Sequence, residues 1–239
     1  MIDFKYSGRV GPDDQAHAVR QGPVSLVPGD KVGPNEVQLP GGGQVPKYAP
    51  TVSDTRDTYN PAQDCDGSFM SYKFQPHNNC YAYACDIATN SFPQPGRAHG
   101  VSFAKEFTGD LVQQGAEKDG LIEISKDPLD NDQLNKIKTE KNLPPGHFVA
   151  LLFSEPDAKV GWPGDYHWAR LDKDGTWSQK DGGDAVTNFD FAGNPIKNAA
   201  TANWVVNQGP ISNTDPTDAV VGYKFQSYMY VPDGKVNIV

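Results

Sequence analysis

The stretch "GDYHWARLDKDGTWSQKDG", residues 164–182, decides the fold because it predicts two β-strands joined by a tight turn. The predicted strand "DYHWARL" is followed by the turn-forming letters "DKDG" and then by the strand "TWSQK". Further strands are predicted on either side of this hairpin, at "HFVALLF" and "VVGYKFQSYMYVP". We therefore expect the fold to be built around an antiparallel sheet.

The turn of the hairpin determines which side chains share a face of the sheet. If residues 173–175 form a three-residue loop with the glycine left-handed at a bulge, Ala169 opposes Gln179. In that register His167 opposes Asp181 and has Gln179 as a diagonal neighbour on the same face. A four-residue loop would shift the register by one residue, but the position of the glycine favours the shorter loop.

Three helices are predicted before the sheet. The first begins at Cys80, after the N-capping residue Asn79, and runs to about Asn90. The second is "VSFAKEFTGDLVQQGAEK", which places apolar residues four apart, and the third is the charged segment "DNDQLNKIKTEKN". Helices followed by an antiparallel sheet define the α+β fold class.

Composition divides the chain into an arm and one domain. Residues 1–60 are dense in Pro, Gly and Asp without a helical period, which predicts an extended arm, and residues 61–239 form the domain. The charge of −9 argues against nucleic acid as a partner. With no secretory signal and no apolar stretch that could insert into a membrane, we expect a cytosolic protein or one exported by a specialised route.

The three cysteines differ in their predicted surroundings. Cys80 stands at a helix N-terminus, where oriented N–H groups stabilise a thiolate, so it is the candidate nucleophile. Cys85 lies inside the same helix and is the candidate partner of Cys65 in a disulfide; three unpaired thiols are the alternative.

A nucleophilic cysteine needs a base, and His167 is the best placed of the five histidines. It lies within a predicted strand between Tyr166 and Trp168, which would hold the imidazole in one rotamer. Either Gln179 or, as the alternative third member, Asp181 would orient the ring, since both lie on its face.

These residues resemble the NlpC/P60 branch of the papain-like cysteine peptidases and amidases over about residues 75–185. The resemblance is carried by a Cys at a helix N-terminus, by "LPPG" before the first core strand, by a strand His and by a polar residue twelve positions later. It implies a papain-like core in which Cys80 attacks a carbonyl, His167 acts as the base and Gln179 orients His167. The oxyanion-hole candidates are Gln75, His77, Asn78 and Asn79.

The resemblance implies a cysteine hydrolase acting on bacterial cell-wall peptides. Without a secretory signal, such an enzyme would suit a toxin or effector with its own delivery machinery or immunity protein as partner. No cofactor or metal is predicted, because the aspartates around "DKDGTWSQKDGGD" lack the spacing of a calcium-binding loop. Two alternatives remain: a non-catalytic binding or structural domain with a structural Cys80, and a thiol acyltransferase on the same fold.

Overall fold

The computed structural model describes residues 78–89, 92–183, 186–212 and 214–239, with Phe69 and three short strands nearer the N-terminus. The three strands are β1 (Asn35–Gln38), β2 (Gln44–Lys47) and β3 (Thr51–Val52). The other elements are α1 (Cys80–Ala84), β4 (Ile87–Ala88), α2 (Gly109–Asp119), β5 (Ile122–Ser125), α3 (Asn131–Glu140), β6 (Gly146–Ser154), β7 (Asp165–Leu171), β8 (Trp177–Lys180), β9 (Val186–Thr187), β10 (Val205–Pro210), β11 (Asp218–Gly222) and β12 (Lys224–Pro232).

The centre of the fold is a six-stranded sheet in the order β5-β12-β6-β7-β8-β9. Every pairing within it is antiparallel. The long strands β6 and β12 pair along most of their length, which joins the C-terminal part of the chain to the middle of the sheet. The protein therefore has a mixed α/β fold with a mostly antiparallel sheet and few helices, which is compatible with the predicted α+β class.

Hydrophobic clusters cover both faces of this sheet. Because successive strand residues point to opposite faces, Leu151 of β6 and Trp168 of β7 belong to one cluster, with α1 and α2. Leu152 and Ala169 belong to the other, with Leu134 of α3. We call these the α1 face and the α3 face. The strands of the middle of the sheet are thus buried on both sides.

The predicted helices form at the expected places, and two of them, α1 and α2, are shorter than predicted. α3 matches its prediction and begins with a capping box, in which Asp130 accepts from the Gln133 backbone and Gln133 from the Asp130 backbone. α2 begins only at Gly109, because Thr108 caps it by accepting a hydrogen bond from the Leu111 N–H at 3.2 Å. The segment before it, including Phe103 and Phe107, packs as a loop on the α1 face.

The hairpin adopts the predicted register. Gly175 has a φ of 85°, which is the left-handed conformation that a bulge glycine requires. Ala169 pairs with Gln179, as the three-residue loop predicts. This register places His167 and Gln179 on the same face of the sheet.

One strand of the predicted arm contacts the domain. β3 pairs antiparallel with β4, with Thr51 opposite Ala88 and Val52 opposite Ile87. β1 and β2 form a separate hairpin. The remainder of the arm lies outside the described residues.

Candidate functional site

Cys80 is the first residue of α1, as predicted, but its side chain is fully buried. The N-cap Asn79 accepts a hydrogen bond from the Ala82 N–H at 3.0 Å, which fixes the start of the helix. The thiol belongs to the hydrophobic cluster of the α1 face, together with Tyr166 and Trp168 of β7. Cys80 therefore lies inside the core in this structure and has no exposed surface.

His167 points to the opposite face of the sheet. Its ring packs against Phe191, Trp204 and Tyr223, with centroid distances of 5.2, 5.3 and 6.1 Å. Trp204 and Tyr223 belong to the α3-face cluster, whereas the neighbours of His167 in β7, Tyr166 and Trp168, belong to the cluster that contains Cys80. The structure brings His167 and Gln179 to the same face of the sheet, and the pairing of His167 with Cys80 remains a prediction.

Burial determines the protonation state of His167. Removal from water lowers the pKa of this imidazole from 6.5 to about 3, and the polar neighbour Gln179 opposes that shift. Gln179 is itself held in place, because its side-chain amide donates to the Phe189 carbonyl at 3.0 Å. Asp181, the alternative third member, follows β8 and is partly buried. His167 is neutral at physiological pH, and its orienting partner remains a prediction.

The oxyanion-hole candidates have other contacts where the structure describes them. The side-chain oxygen of Asn79 accepts from the Ala82 N–H, and its side-chain NH₂ group donates to the Pro93 carbonyl at 3.0 Å. The backbone carbonyl of Asn78 accepts a hydrogen bond from the Lys180 ammonium at 2.6 Å. Gln75 and His77 lie outside the described residues.

The structure describes one of the two cysteines of the predicted disulfide between Cys65 and Cys85. Cys85 is a free, buried thiol at the end of α1. Cys65 lies outside the described residues, so the disulfide remains a prediction. Burial, and next the carboxylate of Asp119, raise the pKa of the Cys85 thiol well above its usual value. A thiol held neutral in this way behaves as a small core side chain.

The sequence interpretation missed two buried cations that hold α1 on the sheet. Lys180 is fully buried, and its ammonium donates to the carbonyls of Asn78 and Gly182 at 2.6 and 2.8 Å. Arg170 is also fully buried and lies 4.1 Å above the ring of Tyr83 in α1. Strand alternation gave a signal for Arg170, because a charged residue on the same face as Tyr166 and Trp168 must be buried with them.

Arg170 is the centre of a buried ion-pair network. Its Nε donates to Asp172 Oδ1 at 2.9 Å, and its Nη1 lies 3.4 Å from Asp86 Oδ1. Burial acts to lower the pKa of Arg170, but Tyr83 and the two carboxylates outweigh it and raise that pKa. The guanidinium stays charged and links β7 to the residues that follow α1.

Two kinds of feature are absent from the described residues. In those residues no group of three or more His, Cys, Asp or Glu side chains is arranged to hold a metal ion. None of their helices has the length and apolar character needed to cross a membrane.

Taken together, these features define a mixed α/β domain in which the residues predicted for catalysis are buried parts of the core. No protein-family model and no solved structure matches the chain. A similar curated protein is Insoluble matrix shell protein 1 from Ruditapes philippinarum, which is 37% identical over 140 residues, covering 58% of this chain and 76% of the relative. The chain belongs to the family of this shell matrix protein.

This relationship corrects the predicted function. The prediction of a cysteine amidase or endopeptidase that acts on bacterial cell-wall peptides is wrong, because the relative is named as an insoluble matrix protein of a shell. The alternative of a structural domain with a structural Cys80 is better supported. The resemblance to NlpC/P60 proteins remains a prediction.

Proposed function

We propose that this protein is a structural component of an insoluble matrix, such as that of a shell. The observation that carries the proposal is the 37% identity to Insoluble matrix shell protein 1 over 76% of that protein. At this identity over most of the relative's length, the two chains are expected to share a fold. The partners of the protein would then be other matrix components.

The geometry of the buried polar residues supports a structural role. Lys180 and Arg170 tie α1 to β7 and β8 from within the core. Cys80 has 0% exposure, and His167 is surrounded by aromatic rings on the α3 face. Cys80 and His167 therefore contribute to the packing of the core.

We also propose that the scaffold is related to the papain-like fold. The supporting observation is that α1, with Cys80 at its start, packs against β7 and β8 of an antiparallel sheet. In this proposal the fold is retained as a rigid unit, and the position of the nucleophile is filled by a packed thiol.

The location of the natural protein tests the structural proposal. An antibody raised against the recombinant chain should detect the natural protein in the material that stays insoluble after the mineral of the source tissue is dissolved with a chelator. An abundant soluble protein from the same tissue serves as the control for incomplete washing. Detection in the soluble extract alone would contradict the matrix role.

Thiol accessibility provides a second prediction. Because Cys80 and Cys85 are 0% and 3% exposed, iodoacetamide should label neither in the native protein and both after unfolding in urea. Peptide mass spectrometry measures the two sites separately, and Cys85 is the internal reference for a buried thiol. Rapid native labelling of Cys80 at pH 6, with Cys85 unlabelled, would instead show a reactive nucleophile.

A further inference from the structure

A polar cavity lies between α3, the turn before β6 and the β7–β8 hairpin. Its volume is about 420 Å³, within the range of about 300–1,000 Å³ that is typical of small-molecule sites. Asn131, Asn135 and Lys138 line it from one side of α3. Because these positions are spaced by four and three residues, they form a continuous stripe along the helix.

The walls of the cavity are fixed by hydrogen bonds. The side-chain amide of Asn131 donates to the Gly175 carbonyl at 2.8 Å, and its oxygen accepts from the indole of Trp177 at 2.9 Å. At the other end, the Lys138 ammonium donates to the Gly146 carbonyl at 3.1 Å. These bonds tie both ends of the helix stripe to the sheet, so the cavity is preformed.

Gly146 is needed for the shape of this wall. Its φ is 153°, and a Cβ at this position would lie 2.1 Å from the Val231 carbonyl oxygen of the neighbouring strand. The carbonyl of the same residue accepts the hydrogen bond from Lys138. A side chain here would move the turn that forms the cavity floor.

Polar groups on the helix stripe still have hydrogen-bonding capacity. The Asn135 side chain makes no hydrogen bond to any residue that the structure describes. Lys138 has three N–H donors and uses one of them on Gly146, so two more can reach a bound molecule. Both side chains can therefore bind a ligand without breaking a bond within the protein.

A second cavity, of about 440 Å³, is lined by polar groups that already make hydrogen bonds within the protein. It is lined by the 190–203 loop, and its carboxylate, Asp190, already accepts from the backbone N–H groups of Ala192, Asn194 and Asn203. Its Asn198 side chain bonds to Leu129, Ala200 and Tyr228. The polar groups of that cavity hold the loop together, which leaves the α3 cavity as the stronger candidate for ligand binding.

The charges around the α3 cavity are balanced. Its lining contains two cations, Lys138 and Lys173, and two carboxylates, Asp172 and Asp233. Such a balance favours a neutral ligand over an anion or a cation. Phe148 and Leu171 add an apolar part to the lining.

We propose that this cavity binds a neutral saccharide unit. Sugar hydroxyls both donate and accept hydrogen bonds, so they can pair with the amide of Asn135 and with the ammonium of Lys138. The C–H face of a sugar ring can pack on the apolar part of the wall. Within a matrix, such a site would attach the domain to a polysaccharide.

Isothermal titration calorimetry of the full chain tests the proposal with cellotetraose, maltotetraose and a β-1,3-linked glucotetraose. At least one of them should bind when titrated to about 10 mM, where a millimolar Kd is measurable. The Asn135→Ala variant should bind that saccharide about fivefold or more weakly, because one hydrogen bond to the ligand is lost. Its fold should be unchanged, since the side chain has no partner among the described residues.

The matched pair Lys138→Met and Lys136→Met locates the binding site. Lys136 is on the same helix but outside the cavity and 74% exposed, so only Lys138→Met should weaken binding. The proposal is overturned if no neutral saccharide binds, if Lys136→Met and Lys138→Met have equal effects, or if tetragalacturonate or a neutral tetrapeptide binds in place of the neutral sugars. Because binding is measured on dilute protein, the result is independent of whether the natural protein is found in an insoluble matrix.

Discussion

Replacing Arg170 with methionine is expected to lower the free energy of unfolding by about 3–5 kcal/mol, as is typical when one partner of a buried ion pair is removed. Arg170 is fully buried, and it contacts Asp172 at 2.9 Å and Asp86 at 3.4 Å. Methionine would leave both carboxylates in the core without their cation, and it would also remove the contact with the Tyr83 ring. Urea unfolding monitored by tryptophan fluorescence measures the loss as a lower midpoint.

Two control variants separate charge from volume in this experiment. Lys136→Met removes an exposed pair with Glu140, which is worth at most about 0.5 kcal/mol on a helix surface. Combining Arg170→Met with Asp86→Asn and Asp172→Asn removes the uncompensated charges, so the triple variant should be more stable than Arg170→Met alone. If Arg170→Met is no more destabilising than Lys136→Met, the network does not hold α1 on the sheet.

Features that depend on local sequence were predictable. The three-residue loop followed from the need for a left-handed residue at position 175, and this loop set the register that pairs Ala169 with Gln179. The N-cap of α1 at Asn79 and the bounds of β7 followed equally from neighbouring residues. Each of these depends on interactions within a few residues, which a sequence pattern records directly.

Features that depend on distant contacts were not predictable from the pattern. α1 ends at Ala84 because the chain turns at Asp86, whose φ is 57° and whose carboxylate pairs with Arg170, 84 positions away. Alternation showed that His167 and Trp168 lie on opposite faces, but not that α1 packs on the Trp168 side. The order of residues along the chain does not contain that information.

The second large effect is expected on acidification, because His167 is buried in its neutral form. The pKa of this imidazole is about 3 in the folded protein and 6.5 in an unfolded chain, where it is exposed. Between these two values the unfolded state binds a proton that the folded state does not. The free energy of unfolding therefore falls as the pH drops from 6.5 to 3, by a total of about 5 kcal/mol from this group alone.

The His167→Gln variant isolates this contribution. Glutamine does not titrate. The urea midpoint of the variant should therefore fall much less than that of the unaltered protein when unfolding is measured at pH 7, 6, 5 and 4. Carboxylates such as Asp190 titrate in both proteins and cancel in the difference between the two curves. If the His167→Gln and unaltered curves stay parallel down to pH 4, the imidazole is accessible to protons in the folded state, and the aromatic surroundings do not exclude water as the structure indicates.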